Sequence, residues 1–244
     1  MKLPNTLRSG KLIRRYKRFF ADIEYENNSI TAHCPNPGSM TGLCTPGQDV
    51  LFSLSDNKKR KLPYTLEFVK SNSHWVGVNT QYPNKIVAEA LENKIIPRLK
   101  KYTSIQNEFK FREGVRFDFL LKGENLKPCI IEVKNVQLRR DLTSEVGVAE
   151  FPDSVTERGS KHLKNLVSAI SDGYDCVMLY VVQRMDCQSF SIANDVDPEY
   201  AKNFDIAKKN GVKIEVWACD ISYKEIKLSH SIKLIKQIIL IIIQ

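Results

Sequence analysis

Two carboxylates and a lysine lie within apolar, strand-like runs between residues 114 and 135. Asp118 falls in Val-Arg-Phe-Asp-Phe-Leu-Leu, and Glu132 and Lys134 fall in Cys-Ile-Ile-Glu-Val-Lys after a short turn around Gly123. Burying an ionised carboxylate in a sheet costs several kcal/mol, so two of them on neighbouring strands require a compensating cation. Side chains alternate along a strand, which places Glu132 and Lys134 on one face. We therefore expect the three side chains to converge.

This cluster suits Mg²⁺ or Mn²⁺, because Mg²⁺ takes oxygen ligands from one or two carboxylates and leaves other positions to water and substrate phosphate. Asp118 and Glu132 would be the metal ligands. The Lys134 ammonium would orient a metal-bound water or help to deprotonate it, which is the chemistry of phosphodiester hydrolysis. On the residues alone, an edge-strand salt bridge between Asp118, Lys134 and Arg116 fits equally well.

The Glu-x-Lys spacing by itself carries little information, since it occurs four times, at Glu92, Glu108, Glu132 and Glu225. Only Glu132 follows an unbroken apolar stretch and is preceded at hairpin distance by a strand that carries an aspartate. A further glutamate, Glu89, lies beside the apolar stripe of the helix that the pattern predicts after residue 83. It is a secondary candidate for the same site, and a solvated helix position is the alternative.

The elements that must position these residues change in character near residue 82. Before it come five short strand-like segments with no helical spacing, which indicate a small OB-like β-barrel. After it, strand and helix patterns alternate, which indicates a mixed, partly parallel α/β sheet covered by helices. We predict an OB-like domain over 1–82, an α/β domain over 83–236 and an Ile-rich tail without an assigned role over 237–244. The five segments are 11–26, 29–34, 48–55, 61–70 and 74–79.

A helix predicted over 155–171 carries a face rich in phosphate-binding side chains. Ser154-Val-Thr-Glu157 matches a capping box with Ser154 as the N-cap. Arg158, Lys161 and His162 share a polar face at helical spacing. The helix follows the Glu132 strand, so one edge of it can overlook the carboxylates; an ordinary solvated basic face is the alternative.

The first 20 residues hold seven basic side chains, no acidic one and three interleaved aromatic rings. Basic residues follow a phosphate backbone, and aromatic rings stack on unpaired bases. Arg14, Arg15, Arg18 and Tyr16 are therefore candidate nucleic-acid contacts. The same pattern also fits a strand with one wet face and one core face.

The net charge of +9 and the pI near 9.2 favour a polyanionic partner, nucleic acid before membrane. Six scattered cysteines, three of them in apolar runs, are typical of reduced, buried thiols. The sequence shows no signal peptide, and its longest apolar run, 238–243, is far shorter than the roughly 20 residues that cross a bilayer. We expect a cytoplasmic protein that does not bind membranes.

Five stretches of the chain carry a resemblance to a known family. They are Asn36-x-Gly38-Ser39-Met40, Glu89-Ala-Leu, Arg116-Phe-Asp118, Glu132-Val-Lys134-Asn135 and the specific phrase from Phe151 to Leu163. Together they resemble the sugar fermentation stimulation protein A family over most of the chain. The resemblance implies a cytoplasmic DNA-binding protein linked to the control of sugar catabolism. It also implies an N-terminal OB-like domain and a C-terminal domain similar to PD-(D/E)xK nucleases.

The nuclease resemblance assigns roles to individual side chains. It makes Asp118 the metal-binding aspartate, Glu132 and Lys134 the Glu-x-Lys pair, and Glu89 the helix glutamate of many members. It places phosphate-binding groups on the helix that follows, at Arg158, Lys161 and His162.

Three functions compete on this sequence. The leading one is a nucleic-acid-binding protein, with DNA as the expected partner, whose second domain is a Mg²⁺-dependent phosphodiesterase. The second is a DNA-binding regulator that keeps the nuclease scaffold without turnover. A metal hydrolase acting on another substrate is the third, and the basic first domain argues against it.

Overall fold

The structure is a computed structural model that describes residues 1–4, 7–144 and 146–236. Its first domain is a small barrel of five strands. These are β1 (Arg8–Tyr16), β2 (Phe20–Tyr25), β3 (Asn28–His33), β4 (Asp49–Leu54) and β5 (Tyr64–Ser71). They pair in the order β3-β2-β1-β4-β5, and a short parallel pairing of β3 with β5 closes the barrel. The predicted OB barrel is confirmed.

The first hairpins of the barrel turn through residues in the left-handed region. The segment 11–26, predicted as one strand, is two strands, because Lys17 and Arg18 take φ values of 46° and 61°. Glu26 and Asn27, at 50° and 60°, form the two-residue turn between β2 and β3 and have the signs of a type I′ turn. Asparagine commonly accepts this conformation, whereas lysine and arginine do not. The sequence therefore gives no local signal for the turn at Lys17 and Arg18.

The second domain is a mixed sheet with helices on both faces. It follows strand β6 (His74–Gly77), which extends the barrel sheet beside β5. The elements of the second domain are α1 (Tyr82–Glu92), β7 (Ser104–Arg112), β8 (Val115–Lys122), β9 (Cys129–Val136), β10 (Gly147–Phe151), α2 (Glu157–Ser171), β11 (Asp175–Val182), β12 (Cys187–Ile192), α3 (Pro198–Lys209), β13 (Lys213–Ile221), β14 (Ile226–Ser231) and β15 (Lys233–Leu234). The main sheet has the order β14-β13-β11-β9-β8-β7, with β9, β11 and β13 parallel. A smaller sheet has the order β10-β12-β15. The predicted mixed α/β domain is confirmed.

The central strand β9 separates two apolar cores. Ile131 packs with α1 on one face of the sheet, and Ile130 packs with α2 and α3 on the other. Strands covered on both faces are apolar at consecutive positions, which explains the unbroken run before Glu132. Leu51 and Phe68 of the barrel join the α1 core, so the two domains share apolar contacts.

The chain start packs on the second domain. The Met1 amine donates to the Ile226 carbonyl at 2.8 Å, Lys2 forms a β-bridge with Glu225, and Leu3 is buried in the α1 core. These residues therefore lie beside β14, although the predicted OB-like domain began at residue 1. The predicted Ile-rich tail over 237–244 falls outside the described residues.

The N-cap of α2 is Thr156, and the prediction of Ser154 is wrong. The Thr156 hydroxyl accepts from the Gly159 amide at 3.0 Å, whereas the Ser154 hydroxyl contacts Asp153 Oδ1 at 3.4 Å. Thr156 N also donates to Asp197 Oδ2 at 2.8 Å. This tether to the start of α3 favours a helix start two residues later than the capping-box pattern predicts.

The loop after β3 joins the two domains. Asn36 Nδ2 donates to Gln137 Oε1 at 2.9 Å, and Ser39 Oγ donates to the Asp153 carbonyl at 2.7 Å. At Gly38 an added Cβ would lie 2.2 Å from Asp153 Oδ2, so only glycine permits this approach. The contacts close one side of a cleft between the domains. Among the described helices, none is long and apolar enough to span a membrane.

Candidate active site

Asp118 lies where the pairing of β8 with β9 ends. The register pairs Leu120 with Ile130 and Phe119 with Ile131, and one further step puts Asp118 opposite Glu132. There the Val133 amide donates to Asp118 Oδ2 at 2.7 Å, in place of a backbone acceptor. From α1, Asn84 Nδ2 donates to the other carboxylate oxygen at 2.7 Å. The aspartate is thus held by a strand and a helix at once.

Glu132 is buried, with 3% of its surface exposed, and two basic side chains contact one of its oxygens. Lys134 Nζ lies 2.6 Å from Oε1, and His162 Nδ1, from α2, contacts the same oxygen. Arg158 Nε donates to His162 Nε2 at 3.3 Å. Lys134 Nζ also lies 3.1 Å from His162 Nδ1. The structure therefore brings Glu132, Lys134, His162 and Arg158 together.

The pKa values of the two carboxyl groups move in opposite directions. Burial, followed by the charge of Glu132, raises the pKa of Asp118 above its ordinary value. Burial also disfavours ionised Glu132, but Lys134 and His162 outweigh it and hold the pKa of Glu132 below its ordinary value. Glu132 is therefore the fixed negative charge of the site, and Asp118 is the carboxylate whose ionisation a further cation would favour.

The salt bridge that we considered as the alternative does not form. Arg116 pairs with Glu108 at 3.0 Å on the exposed surface, and β8 is an inner strand with β7 at the edge. The other Glu-x-Lys pairs are exposed as well, including Glu225 and Lys227 at 3.2 Å. Burial thus distinguishes the Glu132 pair from its copies.

The structure does not bring Glu89 to this cluster. Its carboxylate lies 2.7 Å from the Met1 amine and is 45% exposed. Asn84 takes the helix position that touches Asp118, and five residues further along α1 corresponds to about 140° around the helix axis. Glu89 therefore points elsewhere, and Asn84 is a site residue that sequence reasoning missed.

The basic candidates of the first domain divide into two groups. Arg14 pairs with Asp22 at 2.8 Å and lies over the ring of Tyr16, whose hydroxyl donates to the same carboxylate at 3.2 Å. Arg15 donates to the carbonyls of the loop 36–39, and Arg18 lines the cleft between the domains. On α2, Lys161 is exposed. A role of these side chains in nucleic-acid binding stays a prediction.

The cleft encloses a cavity of about 750 Å³. Its wall combines Arg15 and Arg18, the loop 36–39, the end of β9 and the segment that leads into α2. Asn135, directly after Lys134, and Gln137 belong to this wall. The sequence signal that could have identified these two amides was their position just after a Glu-x-Lys pair. Amides near the end of a strand show no distinctive periodicity, so sequence reasoning missed them.

The donor set suits a hard divalent cation more than a zinc ion. In the described part of the chain, no three His, Cys, Asp or Glu side chains form a group that could hold a metal. The two carboxylates Asp118 and Glu132 correspond to the one or two that a Mg²⁺ site commonly takes, with water and substrate as the remaining ligands. A zinc site would require more protein ligands.

Comparison with known proteins gives two family-model matches that follow the two domains. Residues 13–78 match the SfsA N-terminal OB domain, and residues 81–225 match the sugar fermentation stimulation protein RE domain. The chain is 46% identical over 235 residues to a sugar fermentation stimulation protein homolog of Pelagibacter ubique, covering 96% of this chain and 99% of that protein. A homolog from Caulobacter vibrioides is 43% identical over 233 residues, with 95% and 96% covered.

A solved structure shares the fold over nearly the whole chain. The structure of Pyrococcus furiosus SfsA in complex with Ca²⁺ superposes with a TM-score of 0.85 and 21% sequence identity, covering 96% of this chain and 97% of that one. The order of barrel and α/β domain is therefore the same in both proteins.

Proposed function

The chain belongs to the sugar fermentation stimulation protein family, and we propose that it binds DNA and cuts phosphodiester bonds with a divalent metal ion. The observation that carries this proposal is the buried Glu132, in contact with Lys134 and His162 and close enough to Asp118 to raise the pKa of that carboxyl group. A structural salt bridge does not require a second, half-buried carboxylate beside the first. The relative from Pyrococcus furiosus was solved with Ca²⁺, which supports a divalent cation here.

Asp118 and Glu132 would hold Mg²⁺ or Mn²⁺, which supplies Lewis-acid polarisation of the phosphate when bound. Lys134 contributes a cation that orients the attacking water and stabilises charge on the reacting phosphate. His162 Nδ1 contacts the same oxygen of Glu132 and positions this carboxylate. Arg158, exposed at the other ring nitrogen, can bind an adjacent phosphate of the strand.

The charge of the chain supports a nucleic-acid partner. Its net charge of +9 attracts a polyanion, and Arg18 and Arg158 are exposed cations at the cleft and at the carboxylate cluster. Contacts of this kind supply affinity without reading sequence. Lys161 on the same helix can extend the contact along the strand.

The second candidate is a DNA-binding regulator that does not turn over, and one observation favours it. Lys134 and His162 already contact one oxygen of Glu132 in the structure, so a metal ion at that oxygen would have to displace one of these contacts. A site that is satisfied without metal can serve as a rigid scaffold. The two candidates predict the same DNA binding and differ only in chemistry.

Cleavage of labelled single-stranded and duplex DNA in Mn²⁺ separates the two candidates. We expect cleavage by the wild type, with losses of at least about 100-fold in Glu132→Gln and Lys134→Ala, which remove the charge of one group each. Glu225→Gln is the matched control, because it alters an exposed copy of the Glu-x-Lys pair. Undiminished cleavage in Glu132→Gln, or none in the wild type with DNA binding intact, would favour the regulator.

A further inference from the structure

The interdomain cavity reaches strand β9 at Asn135, the residue that follows Lys134. Lys134 and Asn135 are consecutive on β9, and consecutive side chains of a strand point to opposite faces. Lys134 accordingly meets His162 of α2, whereas Asn135 Oδ1 accepts from Gln183 Nε2 at 2.7 Å and lines the cavity. The Gln183 amide also reaches the carbonyl of Asn79 in the first domain. The cavity and the proposed cleavage site are therefore joined by consecutive residues of β9 and open on different faces of that strand.

Neutral amide side chains line the cavity. These are Asn36, Asn135 and Gln137. Their orientation is fixed by hydrogen bonds, since Asn36 Nδ2 donates to Gln137 Oε1 and Asn36 Oδ1 accepts from the Gly38 amide, both at 2.9 Å. Gln137 is 5% exposed and reaches the cavity from a buried position. Asn36 Nδ2 also donates to the Val78 carbonyl at 2.9 Å, so the Asn36 amide is already satisfied. Asn135 and Gln137 are therefore the amides with the donor and acceptor pattern that can pair with the edge of a nucleobase.

The cavity wall carries charges of both signs. Arg15 and Arg18 line it together with Asp153 and with Glu150, whose carboxylate pairs with Arg140 at 2.5 Å. Arg15 is already engaged with backbone carbonyls of the loop after β3. A phosphate in the interior would meet the Asp153 carboxylate, whereas a neutral base carries no charge for it to repel.

Apolar surfaces in the same wall suit the faces of a flat ring. Pro37 contributes from the first domain, and Leu138, Phe151, Pro152 and Val155 contribute from the second. Val155 is 71% exposed, although it precedes a helix whose other apolar side chains are mostly buried. Pockets that take a base out of a duplex combine such surfaces with hydrogen bonds to the base edge.

We propose that this cavity binds one unpaired nucleobase of a strand whose backbone crosses the carboxylate cluster. The inference rests on the proposed function and specifies its substrate class, a nucleic-acid strand with at least one unpaired nucleotide. A base inside a duplex is stacked on both faces and paired along its edge, so it enters only after unstacking and unpairing, which costs a few kcal/mol. Fully paired DNA is therefore a poor ligand of this site.

Binding of short single-stranded DNA, measured by fluorescence anisotropy in EDTA, tests the inference without cleavage. Each nucleotide of the strand is replaced in turn by an abasic nucleotide, which keeps the phosphates and removes one base. We expect one position at which the loss weakens binding by on the order of tenfold, as removal of a stacked and hydrogen-bonded base does. A profile without such a position overturns the inference.

Amide variants then locate the bound base. In Asn135→Ala and in Gln137→Ala the penalty for the abasic position should largely disappear, because the base has lost its partner in the protein. Gln106→Ala, which alters an exposed amide on β7, should keep the full penalty. Thermal melts of all three variants establish that they fold. A penalty that survives unchanged in both cavity variants places the base elsewhere and overturns the inference.

Two further comparisons identify the source of the base and separate this inference from the proposed cleavage. A free nucleoside monophosphate that binds as tightly as the strand would overturn the assignment to a strand. A base-dependent penalty together with no Mn²⁺-dependent cleavage would refute the phosphodiesterase and leave the cavity inference supported. Mn²⁺-dependent cleavage without any base-dependent penalty would support the phosphodiesterase and overturn the cavity inference.

Discussion

Replacing Asp186 by asparagine is predicted to destabilise the fold, because this carboxylate lies between two buried arginines. Arg139 and Arg184 are each 1% exposed, and Asp186 is 3% exposed. Arg184 donates to both carboxylate oxygens at 2.8 and 2.7 Å, and Arg139 donates to one of them at 2.8 Å. Arg184 also donates to the Gln137 carbonyl at 2.9 Å, which links the group to the cavity wall.

The size of the effect follows from the ionisation of Asp186. Burial opposes its charge, but the two guanidinium groups outweigh burial and lower the pKa of Asp186 from 3.8 to about 2, which corresponds to about 2 kcal/mol. In Asp186→Asn, the new side-chain amide also directs its N–H donors toward the N–H donors of the two arginines, and two donors cannot hydrogen-bond to each other. Breaking one partner of a buried ion pair costs about 3–5 kcal/mol. We expect Asp186→Asn to lower the free energy of unfolding by about 3 kcal/mol, at the lower end of this range. The reason is that Arg139 keeps its hydrogen bonds to the carbonyls of Asp141 and Ser144.

The pH dependence has a definite sign. A carboxylate whose pKa is lowered by folding stabilises the protein at pH values above the unfolded value, near 3.8, and loses this contribution as pH falls toward the folded value, about 2. Asp186→Asn has no such group. The difference in stability between wild type and variant should therefore shrink as pH falls from 5 toward about 2.

Urea unfolding monitored by circular dichroism at several pH values measures both quantities. Asp172→Asn, which removes a partner of the exposed Arg112, serves as the control and should change stability little. An Asp186→Asn variant within about 1 kcal/mol of wild type at pH 7 would refute the reasoning. So would a stability difference that stays constant across the pH range.

Three further predictions concern the α2 start, the interdomain loop and nucleic-acid binding. Thr156→Ala should cost about 1 kcal/mol in thermal unfolding, whereas Ser154→Ala should cost little, and the reverse order would refute the assigned N-cap. Gly38→Ala should speed amide hydrogen exchange in the loop 36–40, because its Cβ would lie 2.2 Å from Asp153; unchanged exchange would contradict the close approach. Arg18→Ala should reduce the log-log salt slope of single-stranded DNA binding by about 0.7 if Arg18 neutralises one phosphate, and an unchanged slope would exclude that contact.

The sequence predicted the part of the site that rests on strand chemistry. Asp118 and Glu132 interrupt apolar runs, and an ionised group in such a run has a restricted set of partners, so the cluster could be inferred from residue types alone. His162 followed from helical spacing on α2. Both signals depend on local periodicity, which can be read directly from the sequence.

The missed features depend on nonlocal geometry. Which face of α1 meets the sheet is decided by tertiary packing, so Glu89 could be preferred over Asn84 although the helix itself was predicted. Ser154 satisfies the capping pattern, but Asp197, some 40 residues later, tethers Thr156 instead. The amides of the cavity come together only when the loop after β3 packs against the end of β9. These segments are far apart in the sequence, so no short-range pattern predicts their contact.

The metal dependence of the thermal midpoint tests the central claim most directly. If Asp118 and Glu132 bind a divalent ion that the unfolded chain does not, Mg²⁺ or Mn²⁺ at ten times its Kd should stabilise the wild type by about 1.4 kcal/mol, or about 3–6 °C. Asp118→Asn and Glu132→Gln should lose most of this shift, whereas Lys134→Ala should keep it, because lysine is not a ligand. An equal metal response in the wild type and all three variants would contradict the account and make the cluster a structural ion pair.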